Sequence, residues 1–302
     1  MDIQILLWLQ NIRYALGWIE NFFVLLTSYS LGIGVVISCI LYWGSDRKTG
    51  CFILLNAVTG NFSNNLLKNL FHVPRPWVRN EQITPNLKAK ASATGYSFPS
   101  GHSEMAGSVF GTMGMAYKKY RWICFLLVAG IGFSRMFLGV HAPQDVFCGI
   151  LESVGIYLAL EKVYRFLEDA KIQRIVLYVS FSLAVLLFLM LALQTNGFMQ
   201  WSVFGNDELM QGAGLFLGFF SGMAIEREYI DLKNTENYLE IIYRVFYGFL
   251  VTGAVYIITG KLEMYGFCFV RYYIVAITVM ALVPFTIVKL LHFESRIEKK
   301  TK

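Results

Sequence analysis

Three short segments hold most of the residues able to do chemistry in this chain. One reads "SRMFLGVHAPQD" and places Ser134, Arg135, His141 and Asp145 within a dozen positions. Asp145 follows His141 by four residues, so its carboxylate can accept a hydrogen bond from one imidazole nitrogen and leave the other a better nucleophile or base. A helix start whose acid merely complements the dipole would explain Asp145 alone, but not the arginine six residues before the histidine. The second segment, "YSFPSGHSE", puts Ser100, Gly101 and His102 at a turn that opens a helix. Unpaired backbone N–H groups there attract an anion, and Gly101 permits close approach. The third, "KNLFHVPRP", carries Lys68 and Arg75, with Asn61 and Asn64 on the helical face of Lys68. Lys68 could simply snorkel to an interface, with the asparagines joining helices.

Together the segments offer Lys68, Arg75 and Arg135 as cations, a helix start with N–H donors, and two histidines, one beside a carboxylate. That set suits a phosphoryl group, whose oxygens carry charge throughout transfer. No carboxylate cluster is placed to hold magnesium or zinc, so the sequence implies no metal and no cofactor. The two histidines supply attack on phosphorus and protonation of the leaving oxygen.

These residues must be positioned by an apolar scaffold. The chain has 302 residues, 56% hydrophobic, only 15% charged, with mean hydropathy +0.52. Several apolar runs exceed the ~18–20 residues that cross a ~30 Å hydrocarbon core. The fold class is therefore all-α, a polytopic transmembrane helical bundle, since backbone polar groups in lipid must pair internally. About nine spans are expected by length and hydropathy, at 22–43, 51–71, 103–117, 122–140, 143–163, 175–194, 210–226, 241–260 and 268–291. Residues 1–21 place Ile5, Trp8, Leu9, Ile12, Leu16 and Ile19 at helical spacing among polar residues, which predicts an amphipathic helix on the membrane surface. The stretch 72–102 is too long for a passive connection.

The net charge of +6 follows from basic residues in short loops, a topology signal that argues against nucleic acid as a partner. Alternate loops hold Arg47 and Lys48; Lys118, Lys119 and Arg121; Lys162, Arg165, Lys171 and Arg174; Arg227 and Lys233; and the tail adds Arg296, Lys299, Lys300 and Lys302. The opposite side has Lys261 and a 195–209 loop with none, while Arg75, Arg79, Lys88 and Lys90 of the 72–102 loop run against the pattern and need another reason. The basic side is read as cytoplasmic, with the N-terminus out, the C-terminus in, and His141 on the outer face. The five cysteines are scattered without metal spacing and read as small buried hydrophobes.

The chain resembles the type-2 phosphatidic acid phosphatases, membrane-embedded lipid phosphate phosphatases whose motifs read K-x6-R-P, P-S-G-H and S-R-x5-H-x3-D. All three are complete here: Lys68 with Arg75-Pro76; Pro99-Ser100-Gly101-His102; Ser134-Arg135 with His141 and Asp145. The resemblance implies a six-helix core over residues 22–194, with residues 195–302 a three-helix membrane extension. It implies His141 as nucleophile through a phosphohistidine, Asp145 as its orienting acid and His102 as general acid. Lys68, Arg75, Ser100, Gly101, Ser134 and Arg135 would hold the phosphate, with no metal. The nine-span, N-outside layout is also similar to that of the glucose-6-phosphatases.

The expected activity is hydrolysis of a membrane lipid phosphate or pyrophosphate, such as polyprenyl pyrophosphate, phosphatidylglycerol phosphate or phosphatidate. A sugar phosphatase, a phosphotransferase and a non-catalytic lipid-binding or transport protein are the alternatives. The short loops incline the reading to a bacterial plasma membrane. The last three spans could shape a lipid entrance, cover the site or form a homodimer surface. Glu152, seven residues after Asp145 and deeper in the membrane, is a further functional candidate, or else a buried partner of a neighbouring polar group.

Overall fold

The computed structural model describes residues 2–195, 207–261 and 267–290. The 196–206 part of the lysine- and arginine-free loop and the basic tail after residue 290 lie outside the described residues. Among the described residues the chain is all-helical, and six helices are long and apolar enough to cross a membrane: Gly17–Trp43, Lys118–Phe137, Ala170–Met190, Asp207–Ile230, Tyr238–Gly260 and Cys268–Leu290. Three further helices stand where spans were expected: α3 (Arg47–Phe71), α6 (Gly101–Ala106) continuing into α7 (Thr112–Ala116), and α9 (Pro143–Tyr164). These three are less apolar or shorter because they carry the asparagines, Lys68, His102, Asp145 and the buried acids.

The chain forms two compact units, Met1–Ser38 with Phe52–Lys162, and Cys39–Cys51 with Val163–Lys302. In the first unit, α1 (Asp2–Ala15) ends one residue before α2 (Gly17–Trp43), so residues 17–21 join the first long helix rather than the surface helix. The buried face of α1 packs on Ile83 and on the 137–142 segment. Leu6 meets Ile83 and Ala142, and Leu9 meets Phe137, Leu138 and Val140. Gln10 grips one strand of backbone twice, donating to the Gln82 carbonyl at 3.0 Å and accepting from the Thr84 N–H at 2.7 Å. Arg13, 2% exposed, donates to the carbonyls of Phe137 and Thr84. Asp2 accepts from Arg79 at 2.8 Å and from Gln144 at 3.0 Å. The opposite face leaves Trp8 and Tyr14 exposed.

The stretch 72–102 is partly helical. Pro76 starts α4 (Pro76–Arg79) at a position where its missing N–H is no loss, and Asn86 caps α5 (Leu87–Ala91) by accepting from Ala89 N at 3.0 Å. Helix α8 (Arg121–Phe137) stops three residues short of the expected 140. Gly139 there takes φ +74°, and an added Cβ would lie 3.3 Å from Pro85 Cα, so the chain turns on a glycine. The α6–α7 segment runs through a π-turn at Gly107–Gly111.

In the second unit, α10 (Ala170–Thr195), α11 (Asp207–Ile225), α12 (Tyr238–Gly260) and α13 (Phe267–Ile277) form a helical bundle. Gly214, Gly218 and Gly222 recur every four residues on α11. A Cβ added at each would meet Phe269 O at 2.4 Å, Tyr273 O at 2.5 Å and Met280 Cβ at 2.7 Å. Such small-residue stripes let helix backbones approach within a membrane, where no hydrophobic force drives association. None of the five cysteines is in a disulfide.

Candidate active site

Every expected site residue lies in the first unit, at one end of α3, α6, α8 and α9. Helix α8 delivers Ser134 and Arg135 in its last turn, and the Arg135 carbonyl accepts from Val140 N at 3.0 Å and His141 N at 3.2 Å. This folds the Gly139 turn back so that His141, 2% exposed, faces the site. Pro143 starts α9 immediately afterwards and places Asp145 in its first turn.

The contact between Arg75 and His141 fixes the tautomer of the imidazole. Arg75 Nη1 lies 2.8 Å from His141 Nε2 and 3.5 Å from Nδ1. A guanidinium can only donate, so Nε2 is the acceptor and the imidazole is neutral with its proton on Nδ1. Nδ1 lies 3.6 Å from Asp145 Oδ2, ion-pair range but longer than a hydrogen bond. Asp145 is held by other donors: Oδ2 accepts from Ser97 Oγ at 2.6 Å and from Ala142 N at 2.9 Å. Its backbone carbonyl accepts from Ser100 N at 2.9 Å, which ties the second and third motifs together. Burial and the cations Arg75, Arg135 and Lys68 hold the His141 imidazole well below its ordinary pKa, which keeps Nε2 free of a proton.

Arg75 itself is fixed through the carbonyls of Val140 (3.2 Å), Gly95 (3.1 Å) and Thr94. Arg135 differs. It is fully buried, donates once, from Nη1 to Thr27 Oγ1 at 3.0 Å, and its Nε and Nη2 have no hydrogen-bond partner. A buried guanidinium with free donors and no carboxylate across from it is costly unless an anion completes it.

The "PSGH" turn supplies the facing wall. Ser100 caps α6 through its hydroxyl, which accepts from Ser103 N at 3.4 Å and Ser103 Oγ at 2.9 Å. At Gly101, an added Cβ would sit 3.1 Å from Asn64 Oδ1 and 3.5 Å from Lys68 Nζ, so the glycine brings the backbone against the lysine. Lys68, Arg75, Arg135 and His141 all act electrostatically on His102. Ser134 Oγ donates to the Ile131 carbonyl at 2.6 Å, so its hydroxyl is bound to its own helix. Sequence reasoning missed Thr27 and Ser97; Ser97 stood inside the second motif's flank, whereas nothing local marks Thr27. A further histidine, His72, packs edge-on against Tyr96.

Comparison with known proteins agrees with this geometry. The PAP2 superfamily model matches residues 49–169, and the model for the PAP2 superfamily phosphatase transmembrane extension matches residues 210–296. The chain is 27% identical over 117 residues to an undecaprenyl-diphosphatase of Sulfolobus acidocaldarius, 38% of this chain and 55% of that protein. It is 29% identical over 159 residues to phosphatidylglycerophosphatase B of Bacillus subtilis, 46% of this chain and 72% of that protein. A lipid A 1-phosphatase of Rhizobium etli is 29% identical over 105 residues, 33% of this chain and 44% of that protein. The chain thus spans between about half and three quarters of the length of the first two relatives. No solved structure matches it significantly. With the three motifs gathered at one helix end and both family models matched in order, the chain belongs to the PAP2 superfamily of phosphatases, with the superfamily's transmembrane extension.

Proposed function

We propose that this membrane protein hydrolyses a lipid phosphate or pyrophosphate through a phosphohistidine at His141, without a metal. The observation that carries the reading is the buried Arg135 with two unpartnered donor nitrogens, set in the same cluster as an unprotonated His141 Nε2. Phosphate oxygens complete Arg135 and draw Arg75 off Nε2, which frees the nucleophile as the substrate binds. Nε2 then attacks phosphorus; the N–P bond forms as the bond to the leaving oxygen breaks, and His102, protonated once the phosphate's negative charge offsets the surrounding cations, gives that oxygen its proton. The imidazole, now positive, is stabilised by Asp145 across the 3.6 Å gap. Water attacks the phosphohistidine as His102 takes its proton, and inorganic phosphate leaves with His141 neutral again. Lys68, Arg75 and Arg135 carry the charge that a metal ion would otherwise meet.

Three features support a lipid substrate rather than a sugar phosphate. The relatives above are named for lipid and polyprenyl phosphates. The site sits at the ends of helices in an apolar, membrane-spanning chain. An apolar cavity of about 410 Å³, lined by Gly107, Gly111, Phe125, Val128, Ile150 and Val154, opens on the helices that hold the site. Its nearest residues are five positions from His102 along α6 and from Asp145 along α9, roughly 7.5 Å at 1.5 Å per residue. The nine-span, N-outside topology follows if α3, α6–α7 and α9 cross together with the six apolar helices. The basic-loop count then places the site on the outer face, for which a bacterial plasma membrane is the fitting location.

The test is phosphate release by purified protein from polyprenyl pyrophosphate, phosphatidylglycerol phosphate, phosphatidate and glucose 6-phosphate, each beside His141→Ala and each with EDTA. Release from a lipid substrate, insensitive to chelation and abolished in the variant, is expected. Release from glucose 6-phosphate alone, or activity that only added magnesium restores, refutes the proposal.

A further inference from the structure

A buried and a half-buried carboxylate lie behind the phosphate site and have no part in the mechanism above. Glu104, fully buried, accepts from Ser108 Oγ at 2.5 Å through Oε1, and its Oε2 has no hydrogen-bond partner. Glu152 accepts from Asn64 Nδ2 at 2.8 Å through Oε2, and its Oε1 has no partner. Asn64 is itself buried, with its Oδ1 turned towards Gly101. On α3 the positions Gly60, Asn64 and Lys68 recur every four residues on one face. Gly60 lies directly against Glu104: an added Cβ would fall 1.7 Å from its Oε1 and 2.8 Å from Ser108 Oγ. The stripe therefore runs from the acids to the lysine. Glu152 acts electrostatically on Glu104, and Lys68 acts on both.

A lysine is a flexible ammonium on a four-carbon stem and, unlike arginine, it gives up its proton when buried without a counter-charge. Lys68 is half-buried, and acids left partly unpaired beside it fit that requirement. We propose that Glu152 and Glu104 are positioning residues that hold Lys68 charged and turned to the phosphate when the site is empty. Glu152 acts with Asn64, one turn of α3 before the lysine; Glu104 acts from α6, two residues after His102. The inference rests on the phosphatase reading, because it gives Lys68 the phosphate as its ligand.

The experiment is a double-mutant cycle of Glu152→Gln with Lys68→Ala, read by KM, kcat and competitive inhibition by inorganic phosphate. Gln keeps the contact to Asn64 and removes only the charge. Glu152→Gln is expected to raise KM and the phosphate inhibition constant by about tenfold with kcat changed far less, a coupling within the range measured for contacting residues. In the Lys68→Ala background the same substitution should change neither. Glu104→Gln, which keeps the Ser108 contact, serves as the second variant should Glu152→Gln not fold. Equal effects with and without Lys68, unchanged phosphate binding, or tighter phosphate binding would each overturn the inference. If Lys68→Ala itself leaves phosphate binding unchanged, the phosphate-site reading fails instead, and the two failures are told apart.

Discussion

Replacing Arg135 by Met should damage activity and spare the fold, and the signs can be worked from its surroundings. Arg135 makes one hydrogen bond, to Thr27, and keeps Nε and Nη2 unpartnered while fully buried. Two charge-assisted bonds to a phosphate, at about 1.5–3 kcal/mol each, sum to roughly 3–6 kcal/mol. At about 1.36 kcal/mol per tenfold, kcat/KM should fall by roughly 10²- to 10⁴-fold. In the empty protein the balance reverses. The variant loses one bond worth about 1 kcal/mol but also removes a buried charge whose desolvation costs several kcal/mol. The phosphate-free variant should therefore melt no lower than the parent. Saturating inorganic phosphate at about 100 Kd should stabilise the parent by about 2.7 kcal/mol and leave the variant unmoved. Thermal melts in detergent with and without phosphate, beside initial rates, decide it. A variant that melts well below the parent, or that retains activity within about tenfold, would show that Arg135 is a structural group with partners other than phosphate.

Further outcomes follow from the same geometry. Arg75→Ala removes the cation nearest His141, so the depressed imidazole pKa rises; the acid limb of kcat/KM, set by neutral Nε2, should move to higher pH, and an unmoved limb would deny that His141 is the group titrating. His102→Ala should form phosphoenzyme from a substrate with a good leaving group yet fail on an alkyl phosphate; equal loss on both would remove its role as general acid. Gly139→Ala places an L-residue at φ +74° against Pro85, and should lower stability by about 1–2 kcal/mol, seen in the melt, while kcat falls as the turn carrying His141 shifts.

The chemistry of this chain was more legible than its architecture, for a physical reason. Lys68, Arg75, Ser100, Gly101, His102, Ser134, Arg135, His141 and Asp145 stand out because polar groups are expensive in an apolar chain, and the structure gathers them at one helix end. The same polarity blurs the spans. Helices α3, α6–α7 and α9 carry these groups, and they are the ones that fall short of the apolar length of a membrane crossing. The end of α8 was misplaced because hydropathy reads Leu138 and Val140 as span, whereas Gly139 at positive φ stops the helix at Phe137.

What was least legible depends on contacts distant in sequence. The amphipathic helix expected over residues 1–21 stands as a helix over Asp2–Ala15, but periodicity cannot say what its buried face meets. Gln10 and Arg13 reach backbone carbonyls 71 to 124 positions away, so α1 clamps the 82–84 segment to the end of α8 and thereby steadies the turn that carries His141. Thr27 became part of the site in the same way, through a bond to Arg135 across 108 positions. Glu152 was visible as an acid in an apolar helix, but its bond to Asn64 and its electrostatic influence on Glu104 were not, since three separate helices meet there. The seam from Gly60 to Lys68 joins these cases. The glycine makes room for one carboxylate, the asparagine binds the other, and the lysine above them lies against Gly101. A site that binds an anion with buried cations must also keep those cations charged while it is empty, and in this chain the acids behind Lys68 are placed to do so.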